Sequence, residues 1–177
     1  MAKRNPSNSR ASRYPMAVFA WPTSLRSSGR SPSQHERLFV DAYKTPLFDL
    51  VEMVKLGIPA EVIAQLAEHM RIPPKRLTDT LGLSQASVQR KVAQQRSLTT
   101  SESSRVLGLV RMIGQVQLMV HESGEPEPFD AAAWLAGWLE QVLPALGGRT
   151  PAEFMDTAEG QAMVAQLLAQ AHSGAYA

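Results

Sequence analysis

The residues whose types and spacing are best suited to specific chemistry lie between Lys75 and Gln94. Gly82 can form a sharp turn that a side chain would obstruct, and Val88, six residues later, can pack a second helix against the first. Glutamine pairs well with adenine edges, and arginine with guanine edges or phosphate. The pattern therefore predicts a helix-turn-helix, a DNA-binding unit whose second helix presents outward Ser84, Gln85, Ser87, Gln89, Arg90 and Lys91.

The charge around this unit favours a nucleic acid as its partner. Residues 71–111 carry eight basic and two acidic side chains, and neither acid falls in the second helix. Lys75, Arg76 and Arg96 are expected to flank and contact the phosphates of the DNA backbone. The alternative is a helical hairpin whose basic face is only solvated, because helix-turn-helix spacing alone is not a specific signal.

The remaining candidates for chemistry do not form a catalytic or metal-binding pattern. The four histidines, at positions 35, 69, 121 and 172, have no metal-ligand spacing, and the chain has no cysteine. Gly147 and Gly148 are not followed by the lysine that a phosphate-binding loop uses. The sequence therefore predicts a protein that is not an enzyme and that uses no metal and no cofactor.

Helical periodicity and capping residues predict that the elements that position these residues are all α-helices. Thr99 and Glu102 form a capping-box pattern, and Thr150 with Glu153 repeats it. An apolar stripe from Val106 to Val120 could be part of a dimer seam or could be buried within one chain. The helices are expected from Pro46 to Gly57, from Pro59 (as the first helical residue) to Met70, from Pro74 to Leu81, from Ser84 to Val92, from Thr99 to Val120, from Asp130 to Leu143, in a short piece after Thr150, and from Ala158 to His172.

On these helices, the apolar residues at helical spacing are expected to face inward. They are Val92 beside Val88, the group Trp134, Leu135 and Trp138, and Met163, Val164, Leu167 and Leu168 on the last helix. On the first helix, Leu47, Leu50, Val51 and Val54 are expected to share one face.

The charges are divided along the chain, which suggests two faces for two partners. The net charge is +6 over residues 1–34, −3 over 35–70, +6 over 71–111 and −7 over 112–177. We expect a flexible basic arm at 1–34, a helical domain with the helix-turn-helix at 35–122, and an acidic helical domain at 123–177. The longest apolar run has nine residues, too few for a membrane helix, so the protein is expected in the cytoplasm.

From about Leu77 onward the chain resembles the Xre-type antitoxins that carry an MbcA/ParS toxin-binding domain. Any one matching piece is a weak signal, but together they cover over half of the chain in order. The residues that carry the resemblance are Leu81-Gly82-Leu83-Ser84, Val88, Arg90-Lys91, Leu98 to Arg105, Phe129-Asp130, Ala133-Trp134-Leu135, Leu146-Gly147-Gly148-Arg149-Thr150-Pro151, Thr157, Glu159-Gly160, Val164, Leu167-Leu168 and Gly174-Ala175-Tyr176.

The resemblance implies an antitoxin that forms a homodimer, neutralises a RES-domain toxin acting on NAD, and represses its own operon by binding operator DNA. It places the C-terminal tail at the entrance of the toxin's active site, and an acidic segment would complement a basic NAD pocket. The toxin-binding residues are then expected to be Gly147, Gly148, Arg149, Gly174, Ala175, Tyr176 and Ala177. Two alternatives stay open: a stand-alone regulator whose C-terminal module only dimerises, and an interaction adaptor with a degenerate helix-turn-helix.

Overall fold

The computed structural model describes residues 32–123 and 129–172, and the side chains of residues 37–123 and 129–171. Within these ranges the chain forms α-helices and short 3-10 helices and has no strand, which confirms the predicted all-α fold with a helix-turn-helix module followed by a helical C-terminal module. No helix in the described part is both long and apolar enough to span a bilayer. The helices are α1 (Pro32–Lys44), α2 (Leu47–Leu56), α3 (Val62–His69), α4 (Pro74–Thr80), α5 (Gln85–Ala93), α6 (Thr100–Glu122), α7 (Ala131–Leu139), two 3-10 helices (Pro144–Leu146 and Pro151–Phe154) and α8 (Ala158–His172).

The long helix α6 lies at the centre and packs against α1, α2, α7 and α8. It begins at the predicted capping box: the Thr99 hydroxyl accepts from the Glu102 N–H at 3.3 Å, and the Glu102 carboxylate accepts from the Thr99 N–H at 2.7 Å. The apolar stripe of α6 is buried from Val106 to Val116. This part of the stripe therefore belongs to the core of one chain and is not free to form a dimer seam.

Helix α1 was not among the predicted helices, and the expected boundary of the basic arm at residue 34 falls inside it. Of all helix pairs, α1 and α6 share the most extensive contact. Phe39 and Ala42 are buried there, and a Cβ on Gly114 would lie only 1.9 Å from the Phe39 carbonyl oxygen. The backbones therefore approach closely, an arrangement that the mixed polar sequence of α1 does not indicate. Residues 1–31 of the predicted arm lie outside the described residues.

The expectation that Pro59 begins a helix is wrong. Pro59 forms an isolated antiparallel bridge with Ser97, and the Leu98 N–H donates to the Ile58 carbonyl at 2.8 Å. Helix α3 starts only at Val62. The pairing joins segments that are far apart in sequence, so the local signal of a proline before an apolar run was misleading.

Helix α7 is shorter than predicted, because it ends at Leu139 rather than at Leu143. The Leu143 N–H donates instead to the Arg149 carbonyl at 3.0 Å, which closes a tight turn after the helix. Helical spacing also gave the wrong face for several side chains, since periodicity identifies an apolar face but not what covers it. Those exposed instead of buried are Val92, Trp134 and Met163.

Candidate nucleic-acid interface and partner-binding module

The turn between α4 and α5 has the geometry that the sequence predicts. Gly82 adopts φ +58°, which a side chain would strain, and the Leu83 N–H donates to the Thr78 carbonyl at 2.8 Å. Ser84 caps α5, since its hydroxyl accepts from the Ser87 N–H at 3.3 Å. Val88 is buried against the core. These contacts fix the direction in which α5 leaves the turn.

Helix α5 presents a polar face at its beginning and middle. Ser84, Gln85, Gln89 and Arg90 are exposed, whereas Ser87 is half-buried. Arg90 forms no ion pair with any residue of the described part of the chain. A glutamine amide and an unpaired guanidinium at these positions are groups that can bond to base edges or phosphates in a major groove.

Lys91 does not belong to this exposed face, so the expectation that it points outward is wrong. Its ammonium group forms an ion pair with the Glu102 carboxylate, and both side chains are nearly buried, at 13% and 12% exposed. Burial acts to raise the pKa of Glu102, but hydrogen bonds from Lys91 and Thr99 outweigh it and hold that pKa below the ordinary value. Lys91 therefore ties α5 to the first turn of α6.

The cations around α4 are paired with carboxylates as well. Lys75 bonds to Asp79 on its own helix at 2.5 Å. Arg76 reaches Glu140 beyond α7, with Nη2 at 2.8 Å from Oε2 and Nε at 3.1 Å from Oε1. The hydrogen bond that Arg76 donates to the Glu140 carboxylate, together with the negative charge of that carboxylate, raises the pKa of Arg76 above its ordinary value. Arg96 stays exposed and, within the described residues, without an ion pair.

Arg105 of α6 joins the helix-turn-helix to the C-terminal module, a role that the sequence analysis missed. Its Nη1 donates to the carbonyls of Leu81 and Gly82 at 2.8 and 2.9 Å, and more weakly to the Asp156 carbonyl at 3.4 Å. The guanidinium of Arg105 on α6 therefore stabilises the turn between α4 and α5. Arg105 lies in the stretch that carries the family resemblance, but nothing local in the sequence indicates which carbonyls it binds.

The glycine turn after α7 is exposed and is closed by backbone hydrogen bonds. Gly147 and Gly148 adopt φ +67° and +81°, left-handed backbone angles that favour glycine. A Cβ on either would meet nothing within 4 Å, so among the described residues no close packing requires a glycine at these two positions. Arg149 bonds to Glu153 at 2.9 Å and lies 4.3 Å above the Phe154 ring. The hydrogen bond from the Thr150 N–H, followed by that from Arg149, lowers the pKa of Glu153.

Three aromatic side chains on and just before α7 contact one another. Trp134 is 42% exposed and stacks on the buried Trp138, with ring centroids 6.2 Å apart. Phe129 contacts the same exposed ring at 6.1 Å. The predicted tail residues Gly174, Ala175, Tyr176 and Ala177 lie outside the described residues. Across the described part, no three acidic or histidine side chains gather into a metal-binding group.

These features define a helix-turn-helix protein with a second, helical module packed onto its DNA-binding unit. Comparison with known proteins identifies both modules. Residues 49–111 match the antitoxin Xre-like helix-turn-helix domain, and residues 127–174 match the antitoxin Xre/MbcA/ParS C-terminal toxin-binding domain.

Two relatives agree with these matches. The chain is 43% identical over 135 residues to the Prs ADP-ribosylating antitoxin of Sphingobium sp. (strain YBL2), which covers 76% of this chain and 85% of that protein. It is 23% identical over 128 residues to the antitoxin Xre of Yersinia enterocolitica serotype O:8 / biotype 1B, covering 72% of this chain and 80% of that protein. The chain belongs to the Xre/MbcA/ParS antitoxin family, whose members are parts of toxin–antitoxin systems and not of a known enzyme family.

Proposed function

We propose that this antitoxin binds the operator of its own operon through α5 and neutralises a RES-domain toxin through its C-terminal module. The observation that carries the DNA-binding part is the exposed face of α5, where Gln85 and Arg90 follow a turn fixed by Gly82 and Arg105. This function places the protein in the cytoplasm, where operator DNA is found.

The operator proposal is tested by replacing Gln85 and Arg90 with alanine. Each base contact contributes about 1–3 kcal/mol of discrimination, so each substitution should weaken binding to the DNA upstream of the gene by roughly 5- to 150-fold. Arg149→Ala is the matched control, because it removes an exposed arginine from the other module. If the wild type and all three variants bind this DNA with equal affinity in a gel-shift titration, α5 is not the recognition helix.

The toxin proposal is supported by the match of residues 127–174 to a toxin-binding domain. The name of the Sphingobium relative couples an antitoxin with ADP-ribosylation of Prs, and ADP-ribosyl transfer consumes NAD. That name agrees with a NAD-consuming toxin as the partner here. The surfaces we assign to the toxin are the Gly147–Arg149 turn and the tail from Gly174 to Ala177.

Co-purification tests this assignment directly. The chain should copurify with the product of a neighbouring gene encoding a RES domain, and deletion of residues 174–177 should reduce rescue of toxin-expressing cells without changing the thermal unfolding of the antitoxin. Undiminished rescue would remove the tail from the interface. If no neighbouring product binds at all, the alternative regulator with a purely dimerising C-terminal module takes the place of the toxin proposal.

We also propose that the antitoxin is a homodimer, as binding to a two-fold operator requires. With the stripe of α6 buried, we place the seam on the outer face of α2, where Leu47, Phe48 and Leu56 are 73%, 75% and 69% exposed. This face borders an apolar groove of about 420 Å³ between α2, α6 and α8. Phe48→Asp should convert the dimer to a monomer in sedimentation analysis, and Val142→Asp, at another exposed apolar position, should not. A monomeric wild type would contradict the proposal.

A further inference from the structure

The two ends of α7 are connected to the helix-turn-helix by arginine–carboxylate pairs. Asp130 precedes α7 and bonds to Nη2 of Arg71 at 2.7 Å, while Glu140 follows α7 and holds Arg76 through two nitrogens. Arg71 lies in the turn before α4, and Arg76 lies in the first turn of α4. Two acids of the toxin-binding module thus neutralise two cations of the DNA-binding module.

The guanidinium groups in these pairs are also the groups that the phosphates of a DNA backbone would bind. A guanidinium binds a carboxylate or a phosphate with the same two-pronged geometry, so it cannot give its full set of hydrogen bonds to both. The first helix of a helix-turn-helix crosses the DNA backbone, which is where Arg76 stands. The Arg76–Glu140 pair is half-exposed, with side chains 50% and 40% accessible, so exchanging one partner for another costs little.

We propose that the carboxylates flanking α7 compete with DNA phosphates for Arg71 and Arg76, so that the toxin-binding module sets the affinity of the helix-turn-helix for DNA. The proposal rests on the proposed function, since it requires that α4 and α5 bind a duplex. It concerns the regulation of that site. A partner that binds α7 or the adjoining turn can break the pair between Glu140 and Arg76. Arg76 is then free to bind DNA phosphates. By thermodynamic linkage, DNA would then strengthen the binding of that partner to the same degree.

The test uses the full chain and a labelled duplex of about 30 base pairs and arbitrary sequence, because phosphate contacts do not depend on sequence. Glu140→Gln should raise the affinity about two- to five-fold, as expected for the loss of one exposed ion pair. It should also steepen the plot of log affinity against log salt by up to about 0.9 per additional phosphate contacted. Asp130→Asn should act in the same direction, and asparagine preserves the cap that Asp130 gives to the Ala133 N–H.

Two controls separate this effect from a simple change in net charge. Glu153→Gln removes the same charge from the same module, but its partner is Arg149, outside the helix-turn-helix, so its effect should be much smaller. In a chain that already carries Arg76→Gln, the substitution Glu140→Gln should give no further gain in affinity. Such non-additivity identifies Arg76 as the group through which Glu140 acts.

Two results would overturn the competition. One is an affinity equal to that of the wild type in Glu140→Gln while Arg90→Ala still weakens binding, which leaves the proposed function standing. The other is a lower affinity in Glu140→Gln, which would show that Glu140 positions Arg76 for DNA instead of withholding it. A chain that binds no duplex in any variant would contradict the proposed function itself, and the competition with it.

Discussion

Replacement of Arg105 by lysine tests whether the helix-turn-helix is held in place from α6. Arg105 is half-buried, and its Nη1 makes two short hydrogen bonds to the carbonyls of Leu81 and Gly82, at 2.8 and 2.9 Å. A lysine keeps the charge, but its Nζ lies one bond closer to the backbone than Nη1 does, so at least one of these two hydrogen bonds should be lost. A hydrogen bond to a charged group contributes about 1.5–3 kcal/mol, so the free energy of unfolding should fall by about that amount.

For a chain of this length the loss corresponds to a decrease in Tm of roughly 3–12 °C. Thermal unfolding followed by circular dichroism measures it. Arg149→Lys is the matched control, because Arg149 is exposed and its pair with Glu153 should contribute less than about 1 kcal/mol. If Arg105→Lys unfolds at the wild-type temperature, Arg105 does not stabilise the turn and the assigned link between the two modules is wrong.

Two further predictions concern the acid stability of the chain and its helix packing. Because the pKa of Glu102 is lowered in the folded state, its stabilising effect is present above its ordinary value of 4.5 and is lost as the pH falls through the lower folded value. Acid unfolding of Glu102→Gln should therefore depend less steeply on pH below 4.5 than that of the wild type, and parallel curves would contradict this. Gly114→Ala should lower the free energy of unfolding by about 1–3 kcal/mol in urea, because its Cβ would meet the backbone at Phe39. Gly137→Ala, where a Cβ meets nothing within 4 Å, should instead raise it by about 0.5–1 kcal/mol; equal signs would refute the packing argument.

The helix-turn-helix was predictable because its determinants are local. Gly82, Ser84 and Val88 lie within seven residues, and each acts on its own turn or on the neighbouring helix. The same holds for the capping box at Thr99, whose partner Glu102 is three residues away. Hydrogen bonds and periodicity at this range follow from the geometry of a single helix, which a sequence specifies directly.

The electrostatic character of the site was not predictable in the same way. The sequence shows a strongly basic segment from residue 71 to residue 111, which predicts that Arg76 and Lys91 contact DNA. In the structure Lys91 is paired with Glu102, and Arg76 with Glu140, 64 residues away. A run of charge in the sequence reports composition, whereas the field at a surface depends on which acids folding brings beside each cation.

By itself, the sequence determined the all-helical class, the turn at Gly82, the capping boxes and the residues at the start of α5. Only the tertiary structure decided that α1 packs on α6, that Trp134 stays exposed, and that Arg105 connects the turn to Asp156, 51 residues away. The physical reason is range: a cap or an apolar face is fixed within a turn or two of backbone. Which group pairs with a guanidinium, and which helix packs on an apolar face, depend on contacts between helices that are distant in sequence.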